Sequence, residues 1–257
     1  MRMMKTKLFC GLIVMSALAL AAGCSDDDGD GVNDPPDNGV EVDFPTAEGS
    51  TWTYNRVTTL GIAGGDVVTR RIAGTRQFEG QTYACLVEED EFTADTLYLR
   101  QDGDMIYVYP DLDFSGEEFP EELGQWFTQQ YEASLPWLFA NGDASVNAQW
   151  QILNATTTIM IKGIPFTVTM AFSGQRLASA DVTVPAGTFD DTYVGRITSS
   201  ISISGAVFSG GSQDVSTIYV ADDVGIVKET GVHTENFGEE PVTETTTQEL
   251  TDFSLGR

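Results

Sequence analysis

From Phe44 onward, apolar and polar residues alternate in short runs broken by glycine, proline and aspartate. In Ile164 to Ser173, Phe166, Val168, Met170 and Phe172 alternate with Thr167, Thr169, Ala171 and Ser173. A period of two places one set on a buried face and the other on a wetter one, which is the mark of a β-strand. Tyr193, Ile197, Ile201 and Ile203 form a similar stripe, interrupted by Gly195 and Ser199. The same reading predicts strands over Thr51–Thr59, Val67–Ala73, Thr82–Glu88, Thr96–Arg100, Met105–Tyr109, Trp150–Ile161, Ser216–Val220, Gly225–Val232 and Val242–Phe253. Asp102-Gly103-Asp104 and Lys162-Gly163 read as tight turns between neighbours. The last strand is rich in threonine on both faces and is expected at an edge or weakly buried.

No segment after residue 43 shows a long helical period. Close-set strands with glycine turns predict an all-β, mainly antiparallel fold, either a curved open half-barrel or barrel-like sheet, or alternatively a β-sandwich. Residues 110–147 interrupt the pattern. Phe114, Phe119, Trp126, Phe127, Tyr131, Trp137 and Phe139 sit there among carboxylates, glycine and proline. An insertion of that length is either functional or hides short helices, and its aromatics are expected to cap the core more than to cover a ligand.

The N-terminus follows different rules. Arg2, Lys5 and Lys7 precede the uncharged apolar run Leu8–Ala22, which ends in Ala21-Ala22-Gly23-Cys24. A basic start, a short apolar stretch and small residues at its end read as a cleaved export signal. The run is short for a spanning helix, which needs about 20 apolar residues. Ala-Ala-Gly-Cys resembles a bacterial lipobox, although Leu is more usual where Ala21 stands. The resemblance implies acylation of Cys24, with palmitate among the acyl chains, and anchoring in a lipid bilayer. Several acyl chains, at about 0.8 kcal/mol per buried methylene, hold a soluble domain on a membrane. Ser25, rather than Asp, resembles outer-membrane sorting. The expected organisation is a signal peptide over 1–23, an acidic tether over 24–43 and a β domain over 44–257.

The tether contains Asp26-Asp27-Asp28-Gly29-Asp30-Gly31-Val32-Asn33-Asp34-Pro35-Pro36-Asp37-Asn38. Oxygen ligands at alternate residues wrap one hard cation, and Gly31 permits the sharp turn this needs. The stretch resembles a single thrombospondin type 3 calcium repeat and an EF-hand-type loop. By position, Asp26, Asp28, Asp30 and Asp37 would give side-chain oxygens, Val32 a carbonyl and Asp34 an outer contact to Ca2+. EF-hand loops close on a bidentate Glu where this chain has Asp37, so affinity near about 10⁻⁴–10⁻³ M is implied. The competing reading is a solvated acidic spacer.

The formal charge of −26 becomes −29 once the three basic residues of the signal leave. Such a surface disfavours nucleic acid and anionic lipid, whose phosphates need clustered Lys and Arg. Of the three cysteines, Cys10 leaves with the signal, Cys24 would carry lipid, and Cys85 remains. The domain therefore has no internal disulfide to rely on, and Cys85 reads as an inert core thiol. The lone histidine, His233, lacks any zinc-like spacing and reads as a surface or turn residue. There is no Gly-x-Ser-x-Gly elbow, P-loop or dinucleotide fingerprint. Glu88-Glu89-Asp90-Glu91 and Glu117-Glu118 with Glu121-Glu122 read as solvated loops.

Two further stretches carry a resemblance. Val184-Pro185-Ala186-Gly187-Thr188-Phe189-Asp190 precedes a strand, and Ala221-Asp222-Asp223-Val224-Gly225-Ile226-Val227-Lys228 follows one. With Glu48-Gly49-Ser50-Thr51-Trp52-Thr53-Tyr54, they resemble uncharacterised bacterial exported proteins in which PAGTFD and GVG(L/I)VK turns separate long strands. Those are broadly similar to the LolA-type lipoprotein-carrier superfamily, a curved antiparallel half-barrel with a greasy concave face. The resemblance implies a non-enzymatic lipoprotein of the bacterial cell envelope, at the outer membrane, binding an apolar ligand or an envelope protein partner. Phe166, Val168, Met170 and Phe172 are the expected ligand-facing set. The alternatives are a structural or adhesive module, and a hydrolase using dispersed carboxylates.

Overall fold

The computed structural model describes residues 42–59, 65–110, 121–161, 163–236 and 240–256. Along the chain these form β1 (Thr51–Thr58), β2 (Asp66–Phe78), β3 (Gln81–Glu89), β4 (Ala94–Asp102), β5 (Met105–Pro110), α1 (Glu121–Ser134), β6 (Trp137–Asn141), β7 (Gln149–Ile161), β8 (Ile164–Val184), β9 (Gly187–Gly205), β10 (Ser209–Ala221), β11 (Gly225–Asn236) and β12 (Val242–Ser254). All the strands belong to one antiparallel sheet, ordered β6-β5-β4-β3-β2-β1-β12-β11-β10-β9-β8-β7. The expected antiparallel, barrel-like architecture is therefore present, and the two-sheet alternative is not.

The order is a meander joined at β1 and β12 and cut between β6 and β7. Short links explain it, since antiparallel neighbours need only tight turns. Pro185 and Ala186 alone connect β8 to β9, where Val184 pairs with Gly187. Glu79 and Gly80, both at positive φ (50° and 79°), connect β2 to β3. Two such residues give the turn whose twist matches that of flanking strands. The sheet closes nearly into a barrel. Side chains bridge the cut: Trp150 Nε1 donates to the Leu138 carbonyl at 2.7 Å, and Trp137 packs edge-on against Phe172 at 5.2 Å. Arg176 Nη1 donates to the carbonyls of Gly142 (2.9 Å) and Ala144.

The alternation read from sequence holds in space. Val168 and Met170 are fully buried, whereas Thr167 between them and the start of the strand is exposed. The barrel interior divides into two apolar clusters. The larger gathers Trp52, Tyr54, Val68, Ile72, Leu86, Leu99, Val220 and Leu250, and Val42 and Phe44 join it from the N-terminal side. The smaller gathers Leu153, Val168, Met170 and Phe172 beneath Leu123 and Phe127 of α1.

Two strand expectations are corrected, whereas residues 110–147 hold a 14-residue helix, one of the two outcomes expected of that insertion. Leu123, Phe127 and Tyr131 recur every four residues and are its buried stripe, flanked by Glu and Gln that face water. The Val242–Phe253 strand is central, between β1 and β11, not an edge. Its Thr246 and Gln248 are inward because the interior there is polar. The strands at Ile164, Tyr193 and Ser216 also run much longer than read: Gly174 stays paired, β8 resumes pairing after register shifts on either side of Ala180, and the serines and glycines of β9 and β10 pair without a shift. Among the described residues no helix is long and apolar enough to cross a membrane.

Candidate functional site: a polar-ended cavity inside the barrel

Strand alternation sends Leu86 of β3, Leu97 and Leu99 of β4, and Ile106 and Val108 of β5 to the interior on one side. Phe172, Ile197, Val220 and Ile226 come from β8 to β11 on the other. Trp137 and Phe139 of β6 and Ile152 of β7 stand where the sheet is cut. These walls do not meet, and they leave a cavity of about 130 Å³. An apolar cavity of roughly 150 Å³ stays dry and takes up benzene, while drug-sized sites run to about 300–1,000 Å³. The space suits a small apolar group or a short stretch of acyl chain, not a whole lipid.

One end of the cavity is polar. Arg70, Glu88, Asp95, Ser199, Asp214 and Glu229 line it. Arg70 lies on the same face of β2 as Val68 and Ile72 and is 3% exposed. Its Nε donates to Glu88 at 2.6 Å, and its Nη2 donates to Glu229 at 2.9 Å and to Gln248 at 3.4 Å. The guanidinium carbon sits 4.8 Å from the centre of the Tyr54 ring. Burial works against the Arg70 charge, but Glu88 and Glu229 outweigh it and hold its pKa well above the usual value. Glu229 is 3% exposed. Burial pushes its carboxyl up, because one guanidinium is shared with Glu88 and only partly compensates. Burial, Glu88 and Asp90 raise Asp95 likewise.

A second pair lies alongside. His233 Nδ1 is 2.7 Å from Asp214 Oδ1, and its Nε2 is 3.7 Å from Glu235. The Asp214 hydrogen bond raises the imidazole pKa, against an opposing effect of burial. Ser199 Oγ donates to Asp214 at 3.4 Å, not to the histidine. A nucleophilic triad needs the base beside the hydroxyl, with the acid behind it. Here the acid stands between the other two, so the arrangement does not activate Ser199. Arg56 holds Asp66 and Asp90 at 2.5 Å each, at a partly exposed position at the end of the β1–β2 ladder. Burial opposes ionisation of Asp90, yet Arg56 and the N–H groups of Phe92 and Thr93 bring its pKa down to about 2.

The structure places the expected ligand-facing residues as follows. Phe172 reaches the cavity wall. Val168 and Met170 face inward too, but Leu123 and Phe127 of α1 cover them, and Phe166, 8% exposed, lies outside both clusters with its ring over Gly205 of β9. Cys24 and the Asp26, Asp28, Asp30, Val32, Asp34 and Asp37 loop lie outside the described residues. Among the described residues no group of three or more His, Cys, Asp or Glu side chains is placed to hold a metal ion. Two readings of single residues are corrected. His233 is buried in mid-strand, not at a surface turn, because β11 places it in register with Asp214. Glu88 and Asp90 are not solvated, since Arg70 and Arg56 draw them in. Cys85 is half-buried in β3, opposite Tyr98.

Arg70, Glu229, Asp214 and His233 were missed as a set. A local signal existed for Arg70, because Val68, Arg70 and Ile72 share one parity. Glu229 and His233 likewise share the parity of buried Gly231.

No family model matches the sequence, and no curated protein matches it. Two solved structures are similar at 13% identity. One is a "putative lipoprotein" from Parabacteroides distasonis, with a TM-score of 0.44 over 83% of this chain and 99% of that one. The other is a "putative exported protein with YmcC-like fold" from Bacteroides fragilis, with a TM-score of 0.38 over 84% of this chain and 100% of that one. At those scores the likeness carries no argument about this chain.

Proposed function

We propose that this protein is a lipid-anchored, non-enzymatic binding protein of the bacterial cell envelope, held at the outer membrane through Cys24. Its ligand is a small apolar molecule, or the end of an acyl chain, with a polar group at one end. The observation that carries this reading is the cavity of about 130 Å³ with apolar walls and a ring of buried charge at one end. Apolar walls give affinity by removing surface from water, at about 25 cal/mol per Å². A few fixed polar groups set orientation. The alternating Leu, Ile and Phe positions that build the walls support binding over chemistry. Against the hydrolase alternative, Glu88 and Glu229 share Arg70 and are not two independent carboxylates flanking one bond. The Asp26–Asp37 loop would add a weak calcium site to the tether.

The test is mass spectrometry of what the exported protein carries after gentle extraction into organic solvent. A stoichiometric apolar molecule, lost in a Leu97→Trp variant that fills the cavity, supports the reading. An empty wild-type protein of unchanged stability would instead make the barrel a scaffold.

A further inference from the structure

β7 is one edge of the sheet. β8 pairs it on one side, and among the described residues no strand pairs it on the other. A strand edge offers a row of unpaired N–H and C=O groups to any other edge. Proteins guard such edges with charge, proline, bulges or short length. The opposite edge, β6, is guarded by being five residues long. β7 has thirteen residues, and Gln149–Ile161 contains no charged residue and no proline. Its single register shift lies near the start, and pairing with β8 is unbroken from Leu153 to Ile161. Thr156-Thr157-Thr158-Ile159 is made of side chains that favour strands.

Charge sharpens the contrast. The chain has 39 acidic and 13 basic residues, yet between Asp143 and Arg176 only Lys162 is charged. Helix α1 packs on the inner face of β7, and Asn154, Thr156, Thr158 and Met160 stay exposed on the outer one. An incoming strand must bring a free edge with little negative charge, because the rest of this surface repels acid. The same edge of a second copy meets both requirements.

We propose that two copies of this chain associate by antiparallel pairing of their β7 edges. The contact is isologous, with one patch meeting itself across a two-fold axis. It satisfies backbone groups of both copies and sets Thr and Asn side chains opposite each other. It also keeps the acidic strands of the two barrels apart.

The test uses the full chain in the cell envelope, with one added cysteine and a short bismaleimide. Thr156→Cys places the thiol on the edge. Thr167→Cys places it on the same outer face, one strand further in. Two such Thr167→Cys sites are three strand spacings apart across the pair, about 14 Å at roughly 4.8 Å each. A band of twice the chain mass is expected with Thr156→Cys and not with Thr167→Cys or the unsubstituted chain. Adding Asn154→Glu and Thr158→Glu should abolish the band, with far-UV circular dichroism unchanged, because like charges then face each other. Equal crosslinking at both positions, no dimer from Thr156→Cys, or a crosslink to a different protein overturns the proposal.

Discussion

Removing the Arg70 charge tests whether the polar end of the cavity is a coupled unit. Arg70→Met keeps most of the aliphatic stem and deletes the guanidinium. Glu229, 3% exposed, is then left with Ser216 Oγ at 3.4 Å as its remaining hydrogen-bond donor. Glu88, 12% exposed, loses its 2.6 Å bond. Breaking a buried pair by removing one partner costs about 3–5 kcal/mol, because the surviving charge stays out of water. In a domain of this size each kcal/mol moves Tm by about 2–4 °C, so a fall of roughly 10 °C is expected at pH 7.5. The pH dependence gives a sharper check. The folded pKa of Glu229 is already raised above its ordinary value. A raised carboxyl binds its proton more readily folded than unfolded, so stability falls as pH rises through that window. Deleting Arg70 removes the interaction that lowers this pKa and widens the window. The deficit of Arg70→Met should therefore shrink from pH 7.5 to pH 5. Adding Glu229→Leu should recover most of it, since apolar replacement of a buried pair is often neutral. Urea unfolding at both pH values measures all of this. A loss below about 1 kcal/mol at pH 7.5, or a deficit that does not shrink on acidification, would refute the reasoning.

Other perturbations have defined outcomes. His233→Gln should cost about 1–3 kcal/mol at pH 5.5 and less at pH 8.5, by urea midpoints. The sign follows from the raised histidine pKa, whose stabilisation is complete below the unfolded value and is lost as pH rises through the folded one. Phe127→Ala, at a side chain 1% exposed under α1, should cost about 3–5 kcal/mol by the same measurement. Gly174→Ala places a Cβ 2.1 Å from the Trp150 ring and should lower stability by about 1–3 kcal/mol, with a changed near-UV spectrum. Calcium titration of the protein by calorimetry should show one weak site at about 10⁻⁴–10⁻³ M, lost in Asp28→Asn with Asp30→Asn. No heat up to millimolar calcium would make the Asp26–Asp37 loop a spacer.

The strands were legible because their interior is mostly apolar, so period two shows directly in the letters. β8 is the clear case, where Val168 and Met170 are buried and Thr167 is exposed. Reading failed where the barrel is polar inside. β12 has Thr246 and Gln248 inward, so its two faces look alike in sequence and it passed for an edge. α1 was hidden for the opposite reason. Its buried stripe, Leu123, Phe127 and Tyr131, is narrow and sits in a segment already crowded with aromatics and carboxylates.

The site was the least legible part because its members come from distant strands. Arg70 and Glu229 are 159 residues apart in sequence, and only the joining of β1 to β12 brings β2 near β11. Parity shows that Arg70 faces inward, but not which carboxylate it meets. The same joining leaves one cavity lined by both apolar and charged side chains. Where facing positions are Leu, Ile and Phe, the walls give the cavity. Where Arg70, Glu88, Glu229, Asp214 and His233 face one another, the barrel holds charge that could not persist unpaired away from water. A ligand bridging the two zones would have to match both, with an apolar body against Leu97 and Ile197 and a polar end toward Arg70 and Asp214. A purely apolar ligand would leave that end as it is, and the Arg70→Met variant would then lose stability without losing its bound molecule.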